Sequence, residues 1–349
     1  MKTGYVATST IAYATRTSLL RMQAELVNAQ KELVSGKVAD PGLALGARAG
    51  KLVSIDQERS SLQTMIDANT IVASRLQATQ AALGGIADQA SSFLGALVGV
   101  GQADGAASAL RSEADAALRA ITGALNTAFG GTHLFGGINI DVPPMGDFFS
   151  DPPSAGRQEI DAAFMAAFGI APDDAAAGAI DGPSMQAFLD GEFAALFEEG
   201  AWASDWSAAS DRNIRSRISR TELIETSVSA NEAPFRQIVM ALAMVGSLAS
   251  DELNGAARQA IVDSATALVG KAVGGITAMQ TRLGAAEARV DGATETMTVQ
   301  SDLLQKYMSA LDGVDPLEAA ARVNGLTTQI ETAYALTARL QQLSLLNFL

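Results

Sequence analysis

Apolar side chains recur along both flanks of the chain in steps of three and four. Leu19, Met22, Leu26, Ala29 and Leu33 follow this rhythm, which lines one side of an α-helix. Glycine and proline in "SGKVADPG" then end the helix. A second series runs through Leu52, Ile55, Arg59, Leu62, Ile66, Asn69, Ala73, Leu76, Gln80, Leu83, Ala87, Ala90, Leu94 and Leu97. Its three polar members keep the register, and sparse polar residues in an apolar seam are a means of fixing alignment between helices.

The carboxy-terminal flank mirrors this arrangement. Leu268, Ala272, Ile276, Met279, Leu283, Ala286, Val290, Ala293 and Met297 form a stripe that continues through Leu304, Met308 and Leu311. "VDPLEAAARV" opens a new helix, with Asp315 as cap, Pro316 in the first turn and Glu318 completing a capping box. From Val323 the spacing continues through Leu326, Ile330, Ala333, Leu336, Leu340, Leu343 and Leu346. The two end helices are expected to pair antiparallel. In the ending "LQQLSLLNFL", Leu345 and Leu349 lie off this stripe, so the helix is apolar around more of its circumference than one partner covers. Other copies or other proteins are expected to cover it.

Between Ile138 and Asp211 the pattern changes. This stretch holds 14 acidic residues against the single base Arg157, six of the nine prolines, seven of the twelve phenylalanines, and both Trp202 and Trp206. It reads as a small module inserted into a helical frame. Short helices are expected over 162–168 and 184–197, and "NIRSRISRTELIETSVSA" suggests strands returning to the frame. The predicted fold is mainly α: an elongated helical bundle with paired N- and C-terminal coiled-coil helices and a small inserted α+β central domain. Its divisions are an amino-terminal coiled-coil arm and turn (1–50), the first half of the frame (51–137), the acidic insert (138–211), the second half of the frame (212–312) and a carboxy-terminal coiled-coil arm (313–349).

Composition narrows the chemistry. A net charge of -14 without a run of Lys or Arg disfavours nucleic acid and anionic lipid as partners. The longest apolar runs fall short of the ~20 residues of a bilayer span, so no membrane partner is expected. No secretory signal opens the chain, which leaves the cytosol or an export route that reads no such signal. The absence of cysteine excludes disulfides, thiolate nucleophiles and Cys-ligated metals. The single histidine, His133, sits in "GGTHLFGG" and reads as a turn residue. Asp173 with Asp174 and Glu198 with Glu199 are the carboxylate pairs an enzyme would draw on. Adjacent carboxylates point apart on a helix, and they read as solvated surface. No catalytic, cofactor-binding or metal site is expected.

The Ser/Thr-rich start, "LVSGKVADPGLALGARA" (33–49), "GGTHLFGGIN" (130–139) and "AYALTARLQQLSLLNFL" (333–349) resemble the bacterial flagellin superfamily. Within it they are most similar to the flagellin-like hook-associated member that joins hook to filament. The turn "VADPGLA" (38–44) lacks the paired Asp usual in filament flagellins, and "LFGG" and "LSLLNFL" lean the same way. The resemblance implies a structural subunit, not an enzyme, exported unfolded through the flagellar type III channel and secreted into the extracellular flagellum. The implied partners are copies of itself in a flagellar layer, a neighbouring hook-associated protein, flagellin and an export chaperone. The assembly interface is assigned to Leu19, Met22, Leu26, Leu33, Leu326, Ile330, Leu336, Leu340, Leu343, Leu346, Phe348 and Leu349. A filament-forming flagellin is the alternative, and a coiled-coil adaptor or translocated effector would share the seams without needing the terminal sequence.

Overall fold

The computed structural model describes residues 8–99 and 106–346. Helix α1, Thr8–Ser35, ends at Gly36. Asp40 then caps α2, Pro41–Leu45, by accepting from the Leu43 amide at 3.0 Å. A tight turn over Gly46–Arg48 leads into α3, Ala49–Gly99, followed by α4, Ala106–Leu125. The hairpin of β1, Ala128–Phe129, and β2, Thr132–His133, pairs Ala128 with His133 and Phe129 with Thr132. Two glycines form its turn, as two-residue hairpins favour.

Three short helices follow: α5, Ala155–Phe168, α6, Gly182–Phe188, and α7, Glu199–Asp205. A 3₁₀ turn, Ala175–Ala179, precedes α6, and a π-helical turn, Leu189–Phe193, continues it. The ribbon of β3, Arg215–Arg217, and β4, Leu223–Glu225, is antiparallel, with Ser216 opposite Ile224. It lies in the stretch whose alternation suggests strands. Helix α8, Ala233–Leu248, leads to α9, Gly255–Asp312, and α10, Pro316–Leu346. Asp315 caps α10 as its sequence predicts, accepting from the Leu317 amide at 2.8 Å. Glu318 meets Arg322 in the next turn at 3.1 Å.

The residues divide into two compact units, one formed by those up to Thr64 together with those from Thr296, the other by Met65–Glu295. In the second unit α8 is buried on nearly every side, from Phe235 to Leu248, as expected for a helix apolar around its circumference. Leu76, Leu83, Ile86 and Phe93 of α3, Ala114, Leu118 and Ile121 of α4, and Ile261, Val269 and Ile276 of α9 belong to the same core. Two of the polar seam residues of α3 fix its register. Asn69 Nδ2 donates to Thr294 Oγ1 and to the Ile218 carbonyl, both at 3.0 Å, and Gln80 Nε2 donates to the Gln280 carbonyl at 2.8 Å. Residue numbers rise on α3 as they fall on α9, so these helices run antiparallel.

The "LFGG" motif anchors the hairpin. Leu134 and Phe135 are fully buried, and Phe135 meets Phe235 edge-on at 5.7 Å. Gly137 sits at φ 62°, where a Cβ would come within 2.7 Å of the Arg212 carbonyl. Only glycine suits that backbone, and it lets Ile138 N donate to Arg212 O at 3.0 Å. Arg75 of α3 donates to Thr132 Oγ1 at 2.8 Å and to the His133 carbonyl at 2.7 Å. Burial pulls its guanidinium below the usual arginine value, yet arginine remains charged at any physiological pH. His133 Nδ1 lies 2.9 Å from the Asn126 carbonyl and so donates to it.

The acidic stretch joins this core through its aromatic side chains. Trp202 and Trp206 stack at 5.8 Å, Phe148 stacks on Trp206 at 5.5 Å, and Phe197, Phe193, Phe188 and Phe164 continue the row. Gly156 of α5 permits the close approach, because a Cβ there would stand 2.6 Å from Trp206 Cε2. The Trp202 indole N–H donates to Asn231 Oδ1 at 3.0 Å.

Candidate assembly surface

The first unit is organised around α1 and α10. Gln23 Nε2 donates to the Tyr334 hydroxyl at 2.8 Å, and Arg322 meets Glu32 at 2.9 Å. Residue numbers rise from Gln23 to Glu32 on α1 as they fall from Tyr334 to Arg322 on α10, so the pair is antiparallel. Ala29, Ala319, Leu326 and Ile330 are buried, while Leu19, Met22 and Leu26 are half-buried on the stripe that carries Ala29.

Beside the seam, the turn after α1 is stitched to the turn before α10. Val38 N donates to Asp312 O at 2.8 Å and Val314 N to Gly36 O at 3.0 Å, with Lys37 opposite Gly313. Lys37 also pairs with the Asp312 carboxylate. A small core follows, in which Leu45, Leu52, Ile55 and Met308 are buried with Ala49, Leu304 and Leu311 against them.

Among the residues assigned to assembly, Leu33 and Leu336 are exposed. The side chains of Leu340, Leu343 and Leu346 lie outside the described ones, although α10 runs to Leu346. Phe348 and Leu349 lie outside the described residues.

A second stripe was not singled out from the pattern. Tyr13, Leu20, Val27 and Val34 recur every seven residues on α1 and are 49 to 89% exposed. They sit one position after Leu19, Leu26 and Leu33, on an exposed face that flanks the α10 seam. The seven-residue spacing was the available signal. Val299, Leu303 and Tyr307 form a comparable exposed row on α9. A helix whose outward heptad position is apolar has a surface that one partner does not cover.

Three of the four carboxylates with conceivable chemistry make structural contacts. Asp173 accepts from Arg111 at 2.9 Å, Asp174 caps the turn over Ala175–Ala179 through the Ala176 amide at 2.9 Å, and Glu199 lies 3.4 Å from Arg236. Glu198 stands just before α7. Among the described residues no cluster of three His, Asp or Glu has metal-binding geometry. Windows within 41–99 and 255–312 reach a length and mean hydropathy compatible with a bilayer span, contrary to what run length alone suggests. Leu83, Phe93, Ile261 and Ile276, which contribute to that hydropathy, face the core of the second unit.

Two family models match the chain. The bacterial flagellin N-terminal helical region matches residues 6–140, and the bacterial flagellin C-terminal helical region matches residues 266–349. No curated protein matches by sequence. Among solved structures, a Vibrio parahaemolyticus protein assigned as a flagellar hook-associated protein superposes with a TM-score of 0.53 at 11% identity, covering 76% of this chain and 97% of its own. FlgL of Bacillus cereus gives a TM-score of 0.48 at 13% identity, covering 73% of this chain and 99% of its own.

Proposed function

Because the chain belongs to the bacterial flagellin family, we propose that it is the flagellar subunit joining hook to filament, assembling through its end helices. A structural role in the flagellum follows from the family. Assembly through the ends is supported by the antiparallel pair of α1 and α10, whose outer face still presents Tyr13, Leu20, Val27 and Val34, and the junction reading by the turn "VADPGLA" and the "LFGG" segment. In this reading that face and the row on α9 meet copies of the same chain within a layer. The neighbouring hook-associated protein lies on one side of the layer and flagellin on the other. The subunit travels unfolded through the flagellar type III channel, a route suited to a chain without cysteine. Before assembly an export chaperone covers the apolar ends.

The matching family descriptions are those of flagellin itself, which keeps a filament-forming flagellin as the second reading. Shearing flagella and weighing the proteins separates the two, since a junction subunit is a trace component and a filament subunit dominates. Deletion of residues 330–349 tests assembly through the ends. Self-association and binding to flagellar neighbours should both be lost, and their persistence would refute the reading.

A further inference from the structure

An open groove of about 810 Å³ lies in the acidic stretch of the second unit. Phe168, Ile170, Ile180 and Phe188 contribute its apolar lining, and the carboxylates of Asp181 and Glu192 stand among its lining residues. The elements explain how it forms. Asp181 caps α6 by accepting from the Ser184 amide at 2.8 Å, and the bonds from Ser184 hold its carboxyl below the usual aspartate value, so it is ionised at neutral pH. The π-helical turn over Leu189–Phe193 widens the backbone where Gly191 and Glu192 reach the groove, and such turns accompany functional sites more often than plain helix. One turn before Phe168 on the same face of α5, Met165 is exposed, a flexible side chain well suited to apolar contacts of varied shape.

None of the lining residues is Lys or Arg, and the stretch 138–211 holds only Arg157 against its 14 acids. A ligand that complements this groove carries positive charge beside apolar bulk. The groove is open rather than enclosing, which suits a side of a peptide better than a buried small molecule. We propose that it binds cationic amphipathic peptide segments, with apolar side chains seated against the half-buried Phe168 and Ile170 and flanking Lys or Arg side chains paired with Asp181 and Glu192. This proposal stands independently of the assembly reading.

The test uses the full chain and a fluorescein-labelled amphipathic helix of leucine and lysine, with an oligolysine of equal charge and spermine as comparison ligands. The Leu/Lys peptide should bind at least roughly tenfold more tightly than either comparison ligand. Ala187→Trp, which fills the groove, should weaken it by a similar factor. Asp181→Asn with Glu192→Gln keeps the helix cap and should weaken the peptide several-fold while reducing its salt dependence. Amide-exchange footprinting of the wild-type chain with the Leu/Lys peptide needs no variant to fold, and its protection should fall on 165–192. Equal affinity for oligolysine, an unchanged Ala187→Trp, or a footprint elsewhere overturns the proposal.

Discussion

Lys37 Nζ lies 3.4 Å from Asp312 Oδ2, with the lysine about half exposed and the carboxylate only 5% exposed. The other oxygen, Oδ1, is buried without a partner, so the lysine is the counter-charge for a group largely removed from water. Lys37→Met should lower the stability of the first unit by about 1–3 kcal/mol, the range for stranding a buried polar group. Adding Asp312→Asn should recover most of that loss. Exchange of the Val38 and Val314 amides, which bond across this junction, gives the measurement.

Leu326 is buried on α10, on the face tied to α1. Leu326→Asp places a carboxylate there at a cost of several kcal/mol. Exchange protection in α1 and α10 should collapse while α8, buried in the second unit, keeps its own. Loss of protection in α8 as well would show that the two units melt together.

The long seams were legible because the information for a helix is local. The steps of three and four from Leu52 to Leu97 carry through α3, and the polar members Asn69 and Gln80 bond across to α9. Turn chemistry was equally readable at Asp315, whose cap needs only its own neighbours. Glu318 shows the limit, because a capping pattern specifies one bond and Arg322 one turn later competes for the same carboxylate. The glycines of "LFGG" mark a turn, but the carbonyl of Arg212 that Gly137 accommodates lies far along the chain. The stripe of Tyr13, Leu20, Val27 and Val34 was present in the sequence, yet it neighbours the seam stripe so closely that only burial separates them.

Gly156 offers a direct test of packing at long range. A Cβ at this position would stand 2.6 Å from Trp206 Cε2 and 2.8 Å from Cζ2, in an aromatic row with no room to yield. Gly156→Ala should cost about 1–3 kcal/mol through overpacking, despite alanine's better helix propensity. The near-ultraviolet circular dichroism of the stacked Trp202 and Trp206 should change with it.

Asp115 on α4 faces Gly246 of α8, where an added methyl would approach its Oδ1 at 2.6 Å. Burial pushes its carboxyl above the usual aspartate value, and Arg119, Arg111 and Arg157 offset this in part. The folded state therefore holds its proton to higher pH than the unfolded state. Stability from this group is present at low pH and is lost as pH rises from the ordinary aspartate value through the raised one. Asp115→Asn should raise stability at neutral pH and flatten that part of the profile, as read by urea unfolding across a pH series.

The bond between Gln23 and Tyr334 spans 311 positions of sequence, and that separation imposes an order of events. Contacts within 65–295 can form while α10 is still arriving, whereas α1 waits for the last of the described helices. A chain cut short before α10 would leave α1 without its partner. The pairing therefore makes closure of the first unit depend on α10, the element that reaches α1 across the whole of the second unit's sequence.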